Sequence, residues 1–342
     1  MEFYLLNDEL AVVGIIDRIT HARVTRNFFA PGEISVSAVQ TVCVPDSARY
    51  IYEPGEGCCA VIEKTVYPAG GGCTVSGRSA EALFERQVLK REGYLYGSVA
   101  TALEVVLLTY APANGAFPGL AVGNITGLPD LDVIPFEWKD LSHWFYDTLA
   151  RFGASYRLDM GDFDSFFTFN VVFGTDRSSF GDGKSYVLIR EDGDCLENVS
   201  FSVDTKGYSN VICVVGNDGR YVTVPDNAPS GLDRREGILF ARDVYPASFE
   251  TDEEYLSVLR ARGESRIASY SERITFSGRA SGNGMYRFGR DYFLGDICDI
   301  ETKSGQHLAL RVVSVTDTYE NGVVLRDVRF GGDISSSAVI EV

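Results

Sequence analysis

The sequence predicts a strand-rich α+β fold in which antiparallel sheets dominate and about four helices interrupt them. Short runs of alternating apolar and polar residues recur along most of the chain, bounded by Gly, Pro, Asn and Asp, as strands joined by tight turns require. Four windows instead repeat apolar residues at helical spacing. The turn-rich stretches between strands do not offer the crossovers that a parallel, doubly wound sheet needs.

Residues 10–16, 22–29, 33–42 and 57–66 are the first strand candidates, broken by Pro31-Gly32, Pro45-Asp46 and Pro54-Gly55. Residues 74–78 lead into a helix over 79–91, where Ala80, Leu83, Phe84 and Val88 form one apolar stripe. A second helix over 98–110 carries Val99, Ala102, Leu103, Val106, Leu107 and Tyr110 on one face. After a Gly/Pro-rich loop from Pro112 to Pro129, a third spans 140–152, with Leu141, Trp144, Phe145, Thr148, Leu149 and Phe152 together and Gly153 placed to end it.

Strands return at 167–174, 185–190, 198–204 and 209–215, the last apolar enough to be buried on both faces. The fourth helix, over 252–262, opens with a capping box at Thr251 and Glu254 and buries Tyr255, Val258 and Leu259. A closing meander begins at 270–280. Tyr292 and Phe293 run into Gly295-Asp296, where glycine bends without steric cost and Asp296 can bond its own backbone just downstream. Strands from Ile297, over 308–315 and over 323–330 follow, the last pair joined at Asn321-Gly322. The stretch has the pattern of a β-barrel rim and requires no catalytic group.

A chain of 342 residues predicts two or three domains. The pattern divides it into a strand-rich segment 1–95, a helix-bearing segment 96–165, and a β-rich segment 166–342 with one helix and the C-terminal meander. Hydrophobic residues at 45% and charged residues at 23% are ordinary for a protein with real cores. Thirty-one basic against 48 acidic residues give −17 and pI 4.6, so the basic face that nucleic-acid binding needs is missing. An acidic surface suits a conduit through which DNA slides without sticking, although solubility alone explains it equally well.

The start, Met1-Glu2-Phe3-Tyr4-Leu5-Leu6 before Asn7-Asp8-Glu9, lacks the basic region and apolar core of a secretory signal. No apolar run approaches the ~20 residues of a spanning helix. A soluble product made in a cytoplasm, with no stable membrane association, is expected, and the sequons at Asn124 and Asn198 are expected to be unused.

Seven cysteines (43, 58, 59, 73, 195, 213, 298) include no CxxC pair, so buried free thiols are expected rather than zinc. Gly181-Asp182-Gly183-Lys184-Ser185 has Ser178 where a P-loop needs glycine, and precedes a strand rather than a helix. Asp159, Asp162 and Asp164, and likewise Asp192, Asp194 and Glu197, lack EF-hand spacing and are expected as solvated turns, with a weak cation site as the alternative. Gly278-Arg279-Ala280-Ser281-Gly282 is one residue out of register for a nucleophile elbow. His21, His143 and His307 are scattered, while paired carboxylates for glycosidase work remain open. No catalytic residue, metal or cofactor is expected.

Several motifs in order resemble the siphovirus minor tail protein family of the ReqiPepy type, itself similar to late-control-D and tail-associated baseplate hub proteins. Gly14 and Asp17 stand in a "G-x-I-D" start, and Arg23 to Phe28 followed by Pro31-Gly32-Glu33-Ile34 matches an "R-x-x-x-x-x-G-x-F" element with Ile34 in place of Phe. Ile62-Glu63 with Val75-Ser76-Gly77-Arg78-Ser79 and Leu83 to Arg86 matches "I-E … V-x-G-R-S-x-x-x-L-x-x-R". Residues 170–174, 197–201 and Arg235-Glu236 resemble its central strands and return, and Tyr292 with Gly295-Asp296 closes the match. Residues 111–135 carry none of these motifs.

The resemblance implies two antiparallel β-barrel-like domains, over 1–95 and 166–342, joined by α/β insertions. It implies a non-enzymatic baseplate hub at the virion tail tip, joining tail tube to tip as a homotrimer in a pseudo-sixfold ring. Its partners would be a distal tail protein, a tape measure protein and other tail-tip proteins, with DNA only passing through. The structural signature would be Gly14, Asp17, Pro31, Gly32, Glu33, Gly77, Arg78, Tyr292, Gly295 and Asp296. The competing expectations are a tail-associated cell-wall hydrolase, for which 333–342 leaves too little chain, and a carbohydrate- or receptor-binding module. The aromatics such a module would use, Trp138, Trp144 and the Tyr94/Tyr96 pair, are expected to fill cores instead.

Overall fold

Alternating patterning makes the strand the commonest element, and the chain falls into two units, Met1–Ser200 with Phe276–Val342, and Phe201–Thr275. The computed structural model describes residues 2–39, 44–111, 117, 119–130, 132–136, 138–161, 165–181, 185–242, 244–270, 272–320 and 322–331.

In the first unit a four-stranded antiparallel sheet runs Val12–Ile16, Phe3–Leu6, Tyr50–Glu53, Cys58–Val61. Phe3, Leu5, Ile51 and Ala60 pack with Ala22, Val24, Ile34 and Val36 of a larger sheet. On its other side Leu6, Tyr50, Tyr52 and Cys59 join a core built around helices. Covered on both faces, Tyr50–Glu53 is buried at every position and shows no alternation.

The larger sheet has eleven strands, ordered Leu196–Asp204, Arg273–Ala280, Val323–Gly331, His307–Glu320, Ile19–Asn27, Glu33–Ala38, Cys73–Arg78, Lys64–Val66. Ile297–Glu301 branches from His307–Glu320 and takes Asp176–Arg177 and Leu188–Arg190 as short parallel partners. The two ends of the chain meet here, with His307–Glu320 lying antiparallel on Ile19–Asn27 from Ser314 opposite Asn27 to Glu320 opposite His21. Among the described residues these pairings do not close into a barrel.

Helix α1 (Val99–Tyr110) is capped by Ser98, which accepts from the Thr101 amide, and α2 (Leu141–Ala150) by Asp140, which accepts from His143. Over 79–91 the structure holds a seven-residue 3₁₀ helix, Ala80–Arg86, in place of the expected longer helix. Gln87 turns extended, and Val88–Leu89 pairs with Lys139–Asp140. The stripe of Ala80, Leu83 and Phe84 is satisfied within that short piece, and Val88 is exposed. Phe84 anchors an aromatic cluster, its ring 5.1 Å from Phe145, 5.7 Å from Tyr156 and 6.1 Å from Phe169. Leu120–Val122 pairs parallel with Phe167–Phe173.

In the second unit three strands are ordered Tyr221–Val224, Val211–Gly216, Glu236–Ala241, the first pair antiparallel and the second parallel. Helix α3 (Asp252–Arg266) begins with the expected capping box and packs Tyr255 and Leu259 on Ile212, Val214, Val222 and Val224, whereas Val258, expected in the same buried stripe, is 37% exposed. The strand expected to be buried on both faces is fully buried on one only, since Cys213 and Val215 are half-exposed. Asn321 lies outside the described residues, while Gly322 has φ +83 as the hairpin reading requires.

Candidate functional site

The signature residues fall on two backbone crossings in the first unit. At Gly295, φ is +93 and a Cβ would lie 2.3 Å from the Phe28 ring, so conformation and space both demand glycine. The next residue, Asp296, is 3% exposed and fully engaged. Its Oδ1 accepts from the Thr175 amide at 2.7 Å, and its Oδ2 from Arg177 Nε and from the Phe293 amide at 3.0 Å. The expected bond to its own backbone downstream is replaced by one reaching back to Phe293 and two across to the neighbouring strand. Its ion pair with Arg177 makes the turn a clamp on residues 175–177.

Around this clamp the packing is aromatic. Tyr292 is fully buried, 5.5 Å from the Phe288 ring and 5.9 Å from Phe330, and burial pushes its hydroxyl pKa up. That hydroxyl finds no partner among the described residues. Arg311 donates to the Gly295 carbonyl at 2.6 Å and lies 5.3 Å and 5.8 Å from the Phe28 and Phe29 rings. Burial lowers the pKa of its guanidinium.

The second crossing joins Gly32, Gly77 and Arg78. The Gly32 amide donates to Ser79 Oγ at 2.7 Å, and the Ser79 amide donates back to the Gly32 carbonyl at 2.9 Å. A Cβ would lie 2.2 Å from the Thr25 carbonyl oxygen at Gly32 and 1.6 Å from that of Val61 at Gly77. Glu33 is opposite Arg78 in the ladder, yet the guanidinium turns to Glu63, at 3.0 and 2.8 Å, and to Glu85. That hydrogen bonding holds the Glu63 carboxyl below its ordinary range. The Pro31 carbonyl accepts from Asn27 at 2.9 Å. Gly14 sits elsewhere, opposite Leu5 on an outer strand, and Asp17 is exposed just beyond it.

A third cluster was not legible as a site. Asp317 is 0% exposed and receives Arg26 Nη2 at 2.6 Å and Arg326 Nη2 at 2.9 Å, with Arg326 Nε completing a fork. Glu56 bridges the same two arginines. An acid in an alternating strand signals a solvent face, and only the pairing of distant strands reveals the two cations.

The remaining candidates have structural partners. Asp159 accepts from Arg157 at 2.6 Å and Asn170 at 2.8 Å, whereas Asp162, Asp164 and residues 182–184 lie outside the described residues. His143 bonds the α2 cap Asp140 at 2.7 Å, and His21 and His307 are exposed. Six described cysteines are free, and burial pushes the Cys59 thiol well above its ordinary range, which leaves it protonated and inert. No group of three or more His, Cys, Asp or Glu among the described residues could hold a metal. Trp144 fills the core, as expected, and donates to the Pro135 carbonyl at 2.9 Å. Trp138 and Tyr96 do not fill cores as expected, being 66% and 74% exposed, and the Tyr94 side chain lies outside the description.

The profile of the Siphovirus ReqiPepy6 Gp37-like protein family matches residues 99–332, which includes 111–135 and the Gly295-Asp296 turn but not the motifs before residue 99. Among curated protein sequences none matches this chain. Solved structures repeat the fold at nearly full length. Prophage tail protein gp18 from Listeria monocytogenes EGD-e aligns at TM-score 0.59 and 10% identity, covering 99% of this chain and 96% of that one. The 43 kDa tail protein of prophage MuSo2 from Shewanella oneidensis aligns at 0.59 and 13%, covering 96% and 98%. A tail protein from Neisseria meningitidis MC58 aligns at 0.58 and 10%, covering 97% and 96%. At such identities the likeness is one of fold. The family match spans well over half of the sequence, and the chain belongs to the Siphovirus ReqiPepy6 Gp37-like family.

Proposed function

We propose that the chain is a non-enzymatic structural protein of a phage or prophage tail, acting at the tail tip as the hub that joins tail tube to tip. Family membership and a fold shared over nearly the whole length of three prophage tail proteins support the tail role. The observation that carries the hub role is the ladder of His307–Glu320 on Ile19–Asn27. Within the first unit it fastens segment 1–95 to the closing meander of segment 166–342, with 96–165 as an insertion between them. In this reading the two segments are the barrel-like halves of a subunit, three subunits form the ring, and a distal tail protein and a tape measure protein are its neighbours.

The signature residues act as fasteners in this reading. The polar groups of Asp296 and Arg78 are consumed by internal contacts, which suits load-bearing better than turnover. The net charge of −17 keeps passing DNA from adhering. Disrupting the gene in its phage or lysogen tests this directly. The expected result is failure of tail assembly, seen by electron microscopy as free heads. Intact particles that adsorb but fail to penetrate the cell wall would instead point to a tail-borne hydrolase.

A further inference from the structure

In residues 201–275 the sheet has two faces and α3 covers one of them. By strand alternation the other carries Cys213, Val215, Tyr221, Thr223, Ile238 and Phe240. The register sets Cys213 between Thr223 and Ile238, and Val215 between Tyr221 and Phe240. Tyr221 is 65%, Ile238 61% and Phe240 41% exposed, so a contiguous and largely apolar surface with no charge at its centre faces outward.

Charge at the ends of this face indicates what covers it. Glu236, on the same face, is exposed at the start of Glu236–Ala241, with its Oε1 accepting from Arg234 at 2.7 Å and its side chain still 57% exposed to a further cation. Arg242 follows the strand, its guanidinium 5.1 Å from the Phe240 ring centre, and forms no ion pair with another described residue. A second copy laid face to face with its strands antiparallel brings each Arg242 to the other's Glu236, with the sheets at the usual spacing of about 10 Å. Elsewhere the −17 charge opposes approach of a like chain.

We propose that this face is a homotypic interface through which two copies of the chain pair about a two-fold axis. Such a contact is self-complementary and cannot by itself close a three-membered ring, so it concerns the chain outside the tail and stands independently of the hub reading.

Sedimentation velocity on the full chain over a concentration series tests it. The expected result is a dimer that dissociates on dilution and is lost in Ile238→Asp and in Tyr221→Ser, but kept in Leu108→Asp, a change at another exposed apolar residue. Two separate substitutions, with circular dichroism on each, keep the outcome from hanging on the folding of one variant. Arg242→Glu and Glu236→Arg should each weaken association about tenfold, as loss of a close interfacial charge pair does, and their combination should restore it. A wild-type chain monomeric at every concentration, a dimer indifferent to Ile238→Asp and Tyr221→Ser, or a double variant no better than the singles overturns the proposal.

Discussion

A Cβ on Gly174 would lie 1.7 Å from the carbonyl oxygen of Gly295, so the two backbones meet where no side chain fits. The contact sets Thr175 beside Ile297, whose amide donates to the Thr175 carbonyl at 3.0 Å, and starts the short parallel ladder between 176–177 and 297–298. Replacing Gly174 by Ala forces the strands apart and is expected to cost about 1–3 kcal/mol. Gly70→Ala, at a position with nothing within 4 Å of the added carbon, should stay within about 0.5 kcal/mol of the native protein. Denaturant unfolding of both variants checks the contrast.

Asp317 is the carboxylate on which the His307–Glu320 ladder depends. Asp317→Asn leaves the Arg26 and Arg326 guanidiniums facing a neutral amide. Breaking a fully buried pair costs about 3–5 kcal/mol, but both arginines keep some solvent and their contact with Glu56, so about 2–3 kcal/mol is expected. Glu56→Gln, at a carboxylate 37% exposed, should cost less than about 1 kcal/mol. Comparable losses in the two variants would show that the buried carboxylate is not the fastener.

Two glutamates should tilt stability in opposite directions with pH. Burial raises Glu81 above its ordinary 4.5, so its contribution is fully present below that value and is lost as pH rises through the folded pKa. Glu81→Gln imitates the protonated side chain and should gain stability over the native protein on going from acid to neutral pH. Hydrogen bonding from Arg78 depresses Glu63, so its contribution is present above 4.5 and is lost as pH falls through the folded pKa. Glu63→Gln should therefore be less stable at neutral pH and converge with the native protein in acid. Thermal melts from acid to neutral pH should give difference curves of opposite slope.

The Thr251 cap governs the start of α3. Thr251→Ala removes the acceptor of the Glu254 amide, at 3.2 Å, and is expected to cost about 1 kcal/mol. Hydrogen exchange should accelerate in the first turn of α3 while amides of Ile19–Asn27 keep their protection.

The three helices with sustained apolar stripes and the Gly295 turn were legible because their signals are local. Period and capping fix α1, α2 and α3, and a bend beside a buried aromatic requires glycine. What was hidden depends on distant partners. Tyr50–Glu53 shows no alternation because both its faces are covered, and the parallel strand at Glu236–Ala241 has no hairpin to announce it. Asp317 looks solvated until Arg26 and Arg326 arrive from neighbouring strands. The 3₁₀ helix at Ala80–Arg86 gives way because Val88–Leu89 finds a strand partner some fifty residues later, at Lys139–Asp140. Trp138 and Tyr96 show the reverse failure, since bulk alone does not place an aromatic side chain inside.

The proposed hub role is tested most directly by negative-stain microscopy of the chain mixed with a distal tail protein of the same phage or prophage. Class averages should show a ring with threefold symmetry and an open axial channel wide enough for DNA. Complexes without threefold symmetry, or a ring whose channel is lined by lysine and arginine, would contradict it.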